Sequence, residues 1–147
     1  MTEGSSGLDL VQKSFDELAP RELHDVLRLR VDTFVVEQAC AYPELDGRDP
    51  ESTHLLALEG GRLVAYARWY PKAKGDAIVL GRIVVAPEAR GRELGKALVE
   101  EALARIGDRP VEIWAQALLE PYYRRLGFRT TGQPFDDWGV LHVEMKR

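Results

Sequence analysis

The sequence is poor in the features that mark several large classes of protein. It has one cysteine, Cys40, in 147 residues, so it has no internal disulfide framework and suits a reducing compartment. No apolar run approaches the roughly 20 residues that span a bilayer. The first residues lack the basic region and apolar core of a signal peptide, so we expect the chain to be cytoplasmic.

Charge and motif content argue against further classes. The formal net charge is −4, which disfavours general binding to nucleic acid or to anionic membranes. The chain contains neither the G-x-x-x-x-G-K-[ST] pattern of a P-loop nor the G-x-G-x-x-G pattern of a dinucleotide fold. Its histidines, cysteine and carboxylates show no metal-ligand spacing, so no metal is expected.

The hydrophobic pattern predicts one domain over residues 8–147, preceded by a flexible tail over residues 1–7. Helices are expected at 20–37, 94–106 and 119–126, and strands at 8–15, 53–58, 63–69, 77–85, 111–116, 129–131 and 140–146. The first helix should bury Leu23, Leu27, Val31 and Phe34, and the last strand Leu141, Val143 and Met145. This order is consistent with an α+β fold whose mixed, mostly antiparallel sheet is covered by helices.

The most informative segment is the strand at 77–85 with the basic turn and helix that follow it. Arg90 and Arg92 flank Gly91 just before the helix begins. The first amides of a helix have no intrahelical partner, and the helix dipole favours negative charge there. The segment is therefore a candidate pyrophosphate site, although taken alone it is better explained as a capped and solvated helix start.

Two motifs then stand in order along the chain. Arg90-Gly91-Arg92-Glu93-Leu94-Gly95 resembles motif A of the GNAT superfamily of N-acetyltransferases, Q/R-x-x-G-x-G/A. Glu93 replaces the middle glycine, and we expect it to keep ordinary helical backbone angles and to point to solvent. Gln116 ends a strand before Tyr123-Arg124-Arg125-Leu126-Gly127-Phe128, which resembles motif B and its Y-x-x-x-G-F.

Further segments at 34–38, 45–47, 65–68 and 81–85 resemble the ElaA-like branch of bacterial GNAT proteins. The resemblance covers residues from about 27 to 145. Near the C-terminus that branch usually reads D-G-I-P-H, whereas this chain has Trp138-Gly139-Val140-Leu141-His142. The replaced Asp and Pro leave the substrate preference of this loop open.

The resemblance implies a GNAT-type acyl-CoA N-acyltransferase fold and direct transfer of acetyl from acetyl-CoA to an amine of a small molecule or peptide. It assigns Tyr123 as the acid that protonates the CoA sulfur, with simple packing as the alternative. Glu37 or His142 would accept the amine proton, alone or through water. The residues expected to contact the acyl donor are Ile83, Val84, Val85, Arg90, Gly91, Arg92, Glu93, Leu94, Gly95, Lys96, Gln116 and Tyr123.

The acceptor cleft is expected to involve Arg30, Phe34, Gln38, Arg68, Tyr70 and Trp138. For Arg30, pairing with an acid is about as good an explanation. A non-catalytic acyl-CoA-binding sensor or regulatory module is the alternative from a different class; it would keep residues 90–97 but would not need Tyr123. The identity of the amine, the acceptance of longer acyl chains and the formation of a homodimer stay open.

Overall fold

A computed structural model of the chain describes residues 7–147. The predicted tail lies outside these residues except for Gly7, and the division into a tail and one domain stays a prediction. The helices are α1 (Pro20–Arg30), α2 (Leu94–Ile106) and α3 (Glu120–Arg125), and the strands are β1 (Leu8–Ser14), β2 (Thr53–Glu59), β3 (Arg62–Pro71), β4 (Ile78–Val85), β5 (Val111–Gln116), β6 (Arg129–Thr130), β7 (Phe135–Asp137) and β8 (Val140–Lys146). Among the described helices, none is long and apolar enough to cross a membrane.

The strands form one sheet in the order β1-β2-β3-β4-β5-β8-β6, with β7 added to β8. Only the contact between β4 and β5 is parallel. The expected mixed, mostly antiparallel sheet is therefore confirmed. A parallel pair needs a crossover connection, and α2 supplies it between β4 and β5.

Helices α1 and α2 pack on opposite faces of the sheet. Leu98 and Val99 of α2 belong to one core cluster with Leu55, whereas Val26 of α1 belongs to the other with Leu56. Neighbouring strand residues point to opposite faces of the sheet, so Leu55 packs in one core and Leu56 in the other. Both faces of the first half of the sheet are thus covered.

The buried stripe of α1 differs from the predicted one by one position. Leu27 and Val31 are only half-buried, and the buried residues are Val26, Arg30 and Thr33. Arg30 takes a core position because two carboxylates from the loop at 40–52 pair with it. As predicted, the helical conformation continues to Glu37, through a π-helical stretch over Val31–Glu37.

The C-terminal strands show a second difference. Val143 and Met145 are buried as predicted, but Leu141 is 52% exposed because it lies near the hairpin tip. The short strand β7 is absent from the sequence prediction. It pairs with β8 through a turn at Trp138 and Gly139, both of which have positive φ.

Candidate active site

Two cavities adjoin the place where β4 and β5 separate. These strands pair only at Ile78–Val111 and Val79–Glu112, so residues 80–85 have no strand partner on the β5 side. The first cavity has a volume of about 410 Å³ and the second about 610 Å³. They share three lining residues, Ile83, Leu119 and Tyr123, so a ligand in one cavity can reach a ligand in the other.

The second cavity lies at the N-terminus of α2. Gly95 and Lys96, from the first turn of this helix, contribute to its lining, as does the exposed Glu93 before it. Glu93 has φ +57° and ψ +28°, so the prediction of ordinary helical angles is wrong. The chain reverses direction here through the left-handed region, which glycine enters freely and other residues enter at a cost.

The two arginines of the basic turn are both engaged by carboxylates. Arg90 Nη1 and Nη2 donate to Glu37 at 2.7 and 2.9 Å, and Arg90 Nε donates to the Val85 carbonyl at 3.1 Å. Arg92 donates to Glu59 at 3.0 and 3.2 Å. These hydrogen bonds lower the pKa of both glutamates. An anionic ligand at this turn therefore has to compete with two surface carboxylates.

A bulge in β4 lies beside the first cavity. Arg68 pairs with Gly81 and Tyr66 with Val84, so β4 carries one more residue than β3 between these points. Arg82 occupies the bulge with φ +52°, and its Nε donates to Glu44 Oε2 at 2.7 Å. Gly81 lies within this strand, where a glycine is typical of a bulge; nothing in the sequence marked the role of Arg82.

The bulge is tied to a buried ion-pair cluster. Arg30 donates to Glu44 at 2.6 Å and to Asp49 at 2.7 Å, and Arg68 donates to Asp46 at 2.6 Å and to Asp49 at 2.8 Å. Burial would raise the pKa of Asp46, but the hydrogen bond from Arg68 and the nearby positive charges lower it to about 2. The cluster anchors the loop at 40–52 to β3.

This cluster corrects three acceptor-site expectations. Arg30 is 0% and Arg68 2% exposed, and neither lines the first or the second cavity. Tyr70 also lies outside both cavities, with the guanidinium carbons of Arg48 and Arg68 at 5.1 and 5.7 Å from its ring centroid. Arg68 and Tyr70 lie on one face of β3 by alternation, and carboxylates and arginines of the chain itself occupy that face.

Other expected residues do line the first cavity. They are Phe34, Glu37, Gln38, Ile83, Val84, Val85, Arg90, Gln116, Tyr123, Trp138 and His142. Gln116 Nε2 donates to Gln38 Oε1 at 3.4 Å, which brings β5 close to the end of the first helix. Residues from four separate parts of the chain therefore meet at this cavity.

His142 has a defined orientation. Its Nδ1 lies 2.8 Å from the Val140 carbonyl oxygen, and its ring stacks on Phe135 with centroids 6.0 Å apart. A carbonyl oxygen only accepts hydrogen bonds, so Nδ1 carries the proton in this contact. The neutral ring then has a free lone pair on Nε2, where it can accept a proton.

Tyr123 lies where the cavities meet. It is 6% exposed and packs edge-to-face against Tyr122 and Phe128, with centroids 5.1 and 5.8 Å away. Burial raises the pKa of Tyr123, which keeps its hydroxyl protonated and able to donate. Tyr122 lines only the second cavity, and its hydroxyl is a buried atom without a hydrogen-bond partner among residues 7–147.

Several lining residues of the first cavity were not expected from the sequence. They are Thr33, Cys40, Tyr42, Arg82, Trp114 and Asp137 among others. Trp114 alternates with the buried Ile113 and Ala115, so alternation alone could have placed it on the open face. Cys40 donates from Sγ to the Trp138 carbonyl at 3.2 Å, a contact across 98 positions that no local pattern shows.

The chain is similar to known proteins in both sequence and structure. A family model described as an acetyltransferase (GNAT) domain matches residues 21–147. The crystal structure of an acyl-CoA N-acyltransferase from Pseudomonas aeruginosa superimposes with a TM-score of 0.90 at 39% identity, covering 95% of this chain and 99% of that one. The crystal structure of Escherichia coli ElaA gives 0.89 at 32% identity, with the same coverage. A UPF0039 protein of Mycobacterium tuberculosis is 42% identical over 136 residues, 89% of this chain and 87% of the relative.

Proposed function

Since the chain belongs to the GNAT acetyltransferase family and has its acyl-CoA N-acyltransferase fold, we propose that it transfers acetyl from acetyl-CoA directly to an amine. The observation that carries this proposal is the position of Tyr123 between two adjoining cavities. Direct transfer requires donor and acceptor to be bound side by side with an acid at the leaving group. A protein that only senses acyl-CoA has no need of a second cavity or of such an acid.

The second cavity is the proposed donor site. The first turn of α2 offers unpaired amides there, and Lys96 adds a positive charge suited to the pyrophosphate. The buried hydroxyl of Tyr122 lacks a partner, and a bound ligand would supply one. The unpaired edge of residues 80–85 lines the first cavity, so an extended pantetheine arm that passes from the second cavity into the first can hydrogen-bond to it as a strand would.

In the proposed mechanism the protein positions the reactants and moves two protons. The neutral amine nitrogen bonds to the thioester carbonyl carbon, and a backbone N–H near the β4 bulge stabilises the oxygen anion that forms. As the carbon–sulfur bond breaks, Tyr123 gives its phenolic proton to the sulfur. The amine proton passes to a base, and the products are the N-acetylated amine and CoA.

The geometry favours His142 over Glu37 as that base. Arg90 lowers the pKa of Glu37, which weakens this carboxylate as a proton acceptor. His142 lines the same cavity and has Nε2 free in its neutral form. We therefore propose that Glu37 orients Arg90 and that His142, directly or through water, takes the proton.

Two measurements test the proposal together. Calorimetry with acetyl-CoA in EDTA should show binding, and Lys96→Ala should weaken it, whereas exposed Lys74→Ala should not. Release of CoA, followed with a thiol reagent, should then depend on added amine. Binding without release against a broad panel of amines would favour the non-catalytic alternative, and absence of both would overturn the proposal.

A further inference from the structure

Two of the three tryptophans of this chain are exposed at the first cavity. Trp114 is 63% and Trp138 59% exposed, whereas Trp69 is 7% exposed and belongs to the core. Both exposed tryptophans line the first cavity, one from β5 and the other from the β7–β8 turn. Large aromatic surface left in contact with water beside a cavity is typical of a binding site.

The aromatic surface continues beyond Trp114. Its ring meets Phe135 edge-to-face with centroids 6.3 Å apart, and Phe135 stacks on His142. His142 pairs with Gln116 across β5 and β8, two residues along β5 from Trp114 and so on the same face. The proposed base therefore belongs to a continuous aromatic wall of the cavity.

The lining of the first cavity contains one carboxylate, that of Asp137, without an ion-pair partner among the described residues. Arg82, Arg90 and Glu37 all have ion-pair partners. Asp137 is half-buried and, among the described residues, is the one carboxylate of this lining that forms no ion pair. A cationic group entering the cavity finds an uncompensated negative charge next to Trp138.

The turn that carries Trp138 is fixed in place. Trp138 and Gly139 have φ of +53° and +86°, the pair of positive values that a tight hairpin turn needs. The Cys40 thiol donates to the Trp138 carbonyl, and the Gly139 amide donates to Asp136 Oδ2 at 3.2 Å. A turn backbone held in this way reduces the conformational entropy that is lost when a flat ligand packs against Trp138.

We propose that the acceptor is a small primary amine attached to an aromatic ring. Its ring packs against Trp114 and Trp138, and its ammonium form is attracted by Asp137. This form loses one proton to solvent to give the neutral amine that attacks, and His142 takes the second proton from the nitrogen during transfer. This inference rests on the proposed function and specifies its substrate class. The cavity volume of about 410 Å³ suits a small molecule.

Matched amines test the ring directly. We would compare 2-phenylethylamine with 2-cyclohexylethylamine, which is similar in size and apolarity but not flat, and with n-propylamine. With acetyl-CoA at saturation, kcat/KM should be highest for 2-phenylethylamine, by about tenfold or more over n-propylamine and by several-fold over the cyclohexyl compound. Equal values for the three amines would overturn the inference.

Variants then locate the effect. Trp114→Leu and Trp138→Leu keep an apolar side chain and should each reduce the preference for the flat ring several-fold. Asp137→Asn should raise KM for all three amines. Leu118, 91% exposed and outside both cavities, provides the control Leu118→Ala, which should change nothing. A ring preference that survives both tryptophan variants would contradict the proposal.

A binding measurement separates this inference from the proposed function. Saturation-transfer NMR of 2-phenylethylamine needs no turnover. Binding that is stronger than for the cyclohexyl compound and lost in Trp138→Leu supports the aromatic site even if no amine is acetylated. If the wild-type protein binds the phenyl and cyclohexyl amines equally, the aromatic site is overturned. A dimer that is seen by sedimentation and is dissociated by Trp114→Leu would also overturn it, because a second copy would then cover the aromatic wall.

Discussion

Arg90 and Glu37 form a two-point ion pair, with Nη1–Oε2 at 2.7 Å and Nη2–Oε1 at 2.9 Å. The pair links the turn before α2 to the end of the first helical segment, 53 positions earlier in the chain. Each partner limits the other, because the guanidinium weakens Glu37 as a base and the carboxylate competes with a bound phosphate for Arg90. The pair therefore couples binding of the acyl donor at Arg90 to the basicity of Glu37 on the acceptor side.

Glu37→Gln should separate these roles. We expect the Kd for acetyl-CoA to fall by a factor of about 2 to 5, which corresponds to the free energy of one exposed ion pair. The value of kcat should stay within about threefold of the wild type, since His142 is the proposed base. Calorimetry and steady-state kinetics check both, and Glu51→Gln, which removes an exposed carboxylate outside both cavities, is the control. A fall in kcat of a hundredfold with unchanged Kd would instead make Glu37 the base.

Substitutions of Glu93 test both the strain of its backbone and the effect of its charge on acetyl-CoA binding. Glu93→Gly and Glu93→Gln both remove a carboxylate from the second cavity, so both should tighten acetyl-CoA binding, more at low salt than at high salt. Only glycine relieves the left-handed backbone at φ +57°. Urea unfolding should therefore show the glycine variant more stable than the glutamine variant by about 0.5–1 kcal/mol. Equal stability of the two would mean that the backbone is not strained at this residue.

Local patterns predicted the elements that depend on local physics. The bounds of β5 and β8 agree with the prediction to the residue, because Pro110 and Gly139 immediately precede these apolar-rich stretches and mark where each strand begins. The β2–β3 hairpin follows from Gly60 and Gly61, whose φ values of +59° and +80° few other residues adopt. The donor side of the candidate site was likewise visible, since a helix N-terminus after a strand is a local feature.

The residues that were misplaced depend on distant partners. Arg30 and Arg68 are buried because acids at 44, 46 and 49 neutralise them. Pairing with an acid was the alternative considered for Arg30, but no local pattern identifies which acids pair with either arginine. Glu93 has a left-handed conformation that its residue type disfavours. The one sequence signal for this conformation was the glycine that the GNAT motif A usually has at this position. For Trp114, alternation along β5 indicated an open face, but its contact with Phe135, which comes from a strand far along the chain, could not be predicted locally.

The ion-pair cluster predicts how stability depends on pH. Arg68 and Arg82 lower the pKa of Asp46 to about 2, which is below its pKa in the unfolded chain. The Asp46 carboxylate therefore stabilises the fold at pH values above the pKa of the unfolded state. The contribution should be lost as pH falls from about 4 to about 2. Because Asp46 is partly exposed to solvent, which weakens its ion pairs, its contribution to the free energy of unfolding should be about 1 kcal/mol at pH 7.

Urea unfolding of wild type and Asp46→Asn checks this. The difference in unfolding free energy should be largest at neutral pH and should shrink below about pH 4. Asp76→Asn, whose carboxylate forms no ion pair within the described residues, should give a smaller difference at every pH. A difference for Asp46→Asn that is constant from pH 7 to pH 2 would show that its carboxylate charge does not contribute.

Tyr122 and Tyr123 are neighbours with different surroundings, and this makes them a matched pair. Tyr123 lines both cavities, whereas Tyr122 lines only the second. Tyr123→Phe keeps the edge-to-face packing and removes only the proton donor. Turnover should fall by roughly 10²–10⁴-fold with little change in Kd for acetyl-CoA, because the hydroxyl acts as charge develops on the sulfur.

Tyr122→Phe should behave in the opposite way. It removes a buried hydroxyl that lacks a partner within residues 7–147, so the free protein should gain up to about 1 kcal/mol in unfolding free energy. If acetyl-CoA provides the missing partner, its binding weakens while turnover at saturation changes little. Rapid-mix kinetics and calorimetry on both variants measure these effects. Equal, small losses of turnover in the two variants would leave the sulfur's proton to water and reduce Tyr123 to a packing residue, which removes the main argument against a purely acyl-CoA-binding protein.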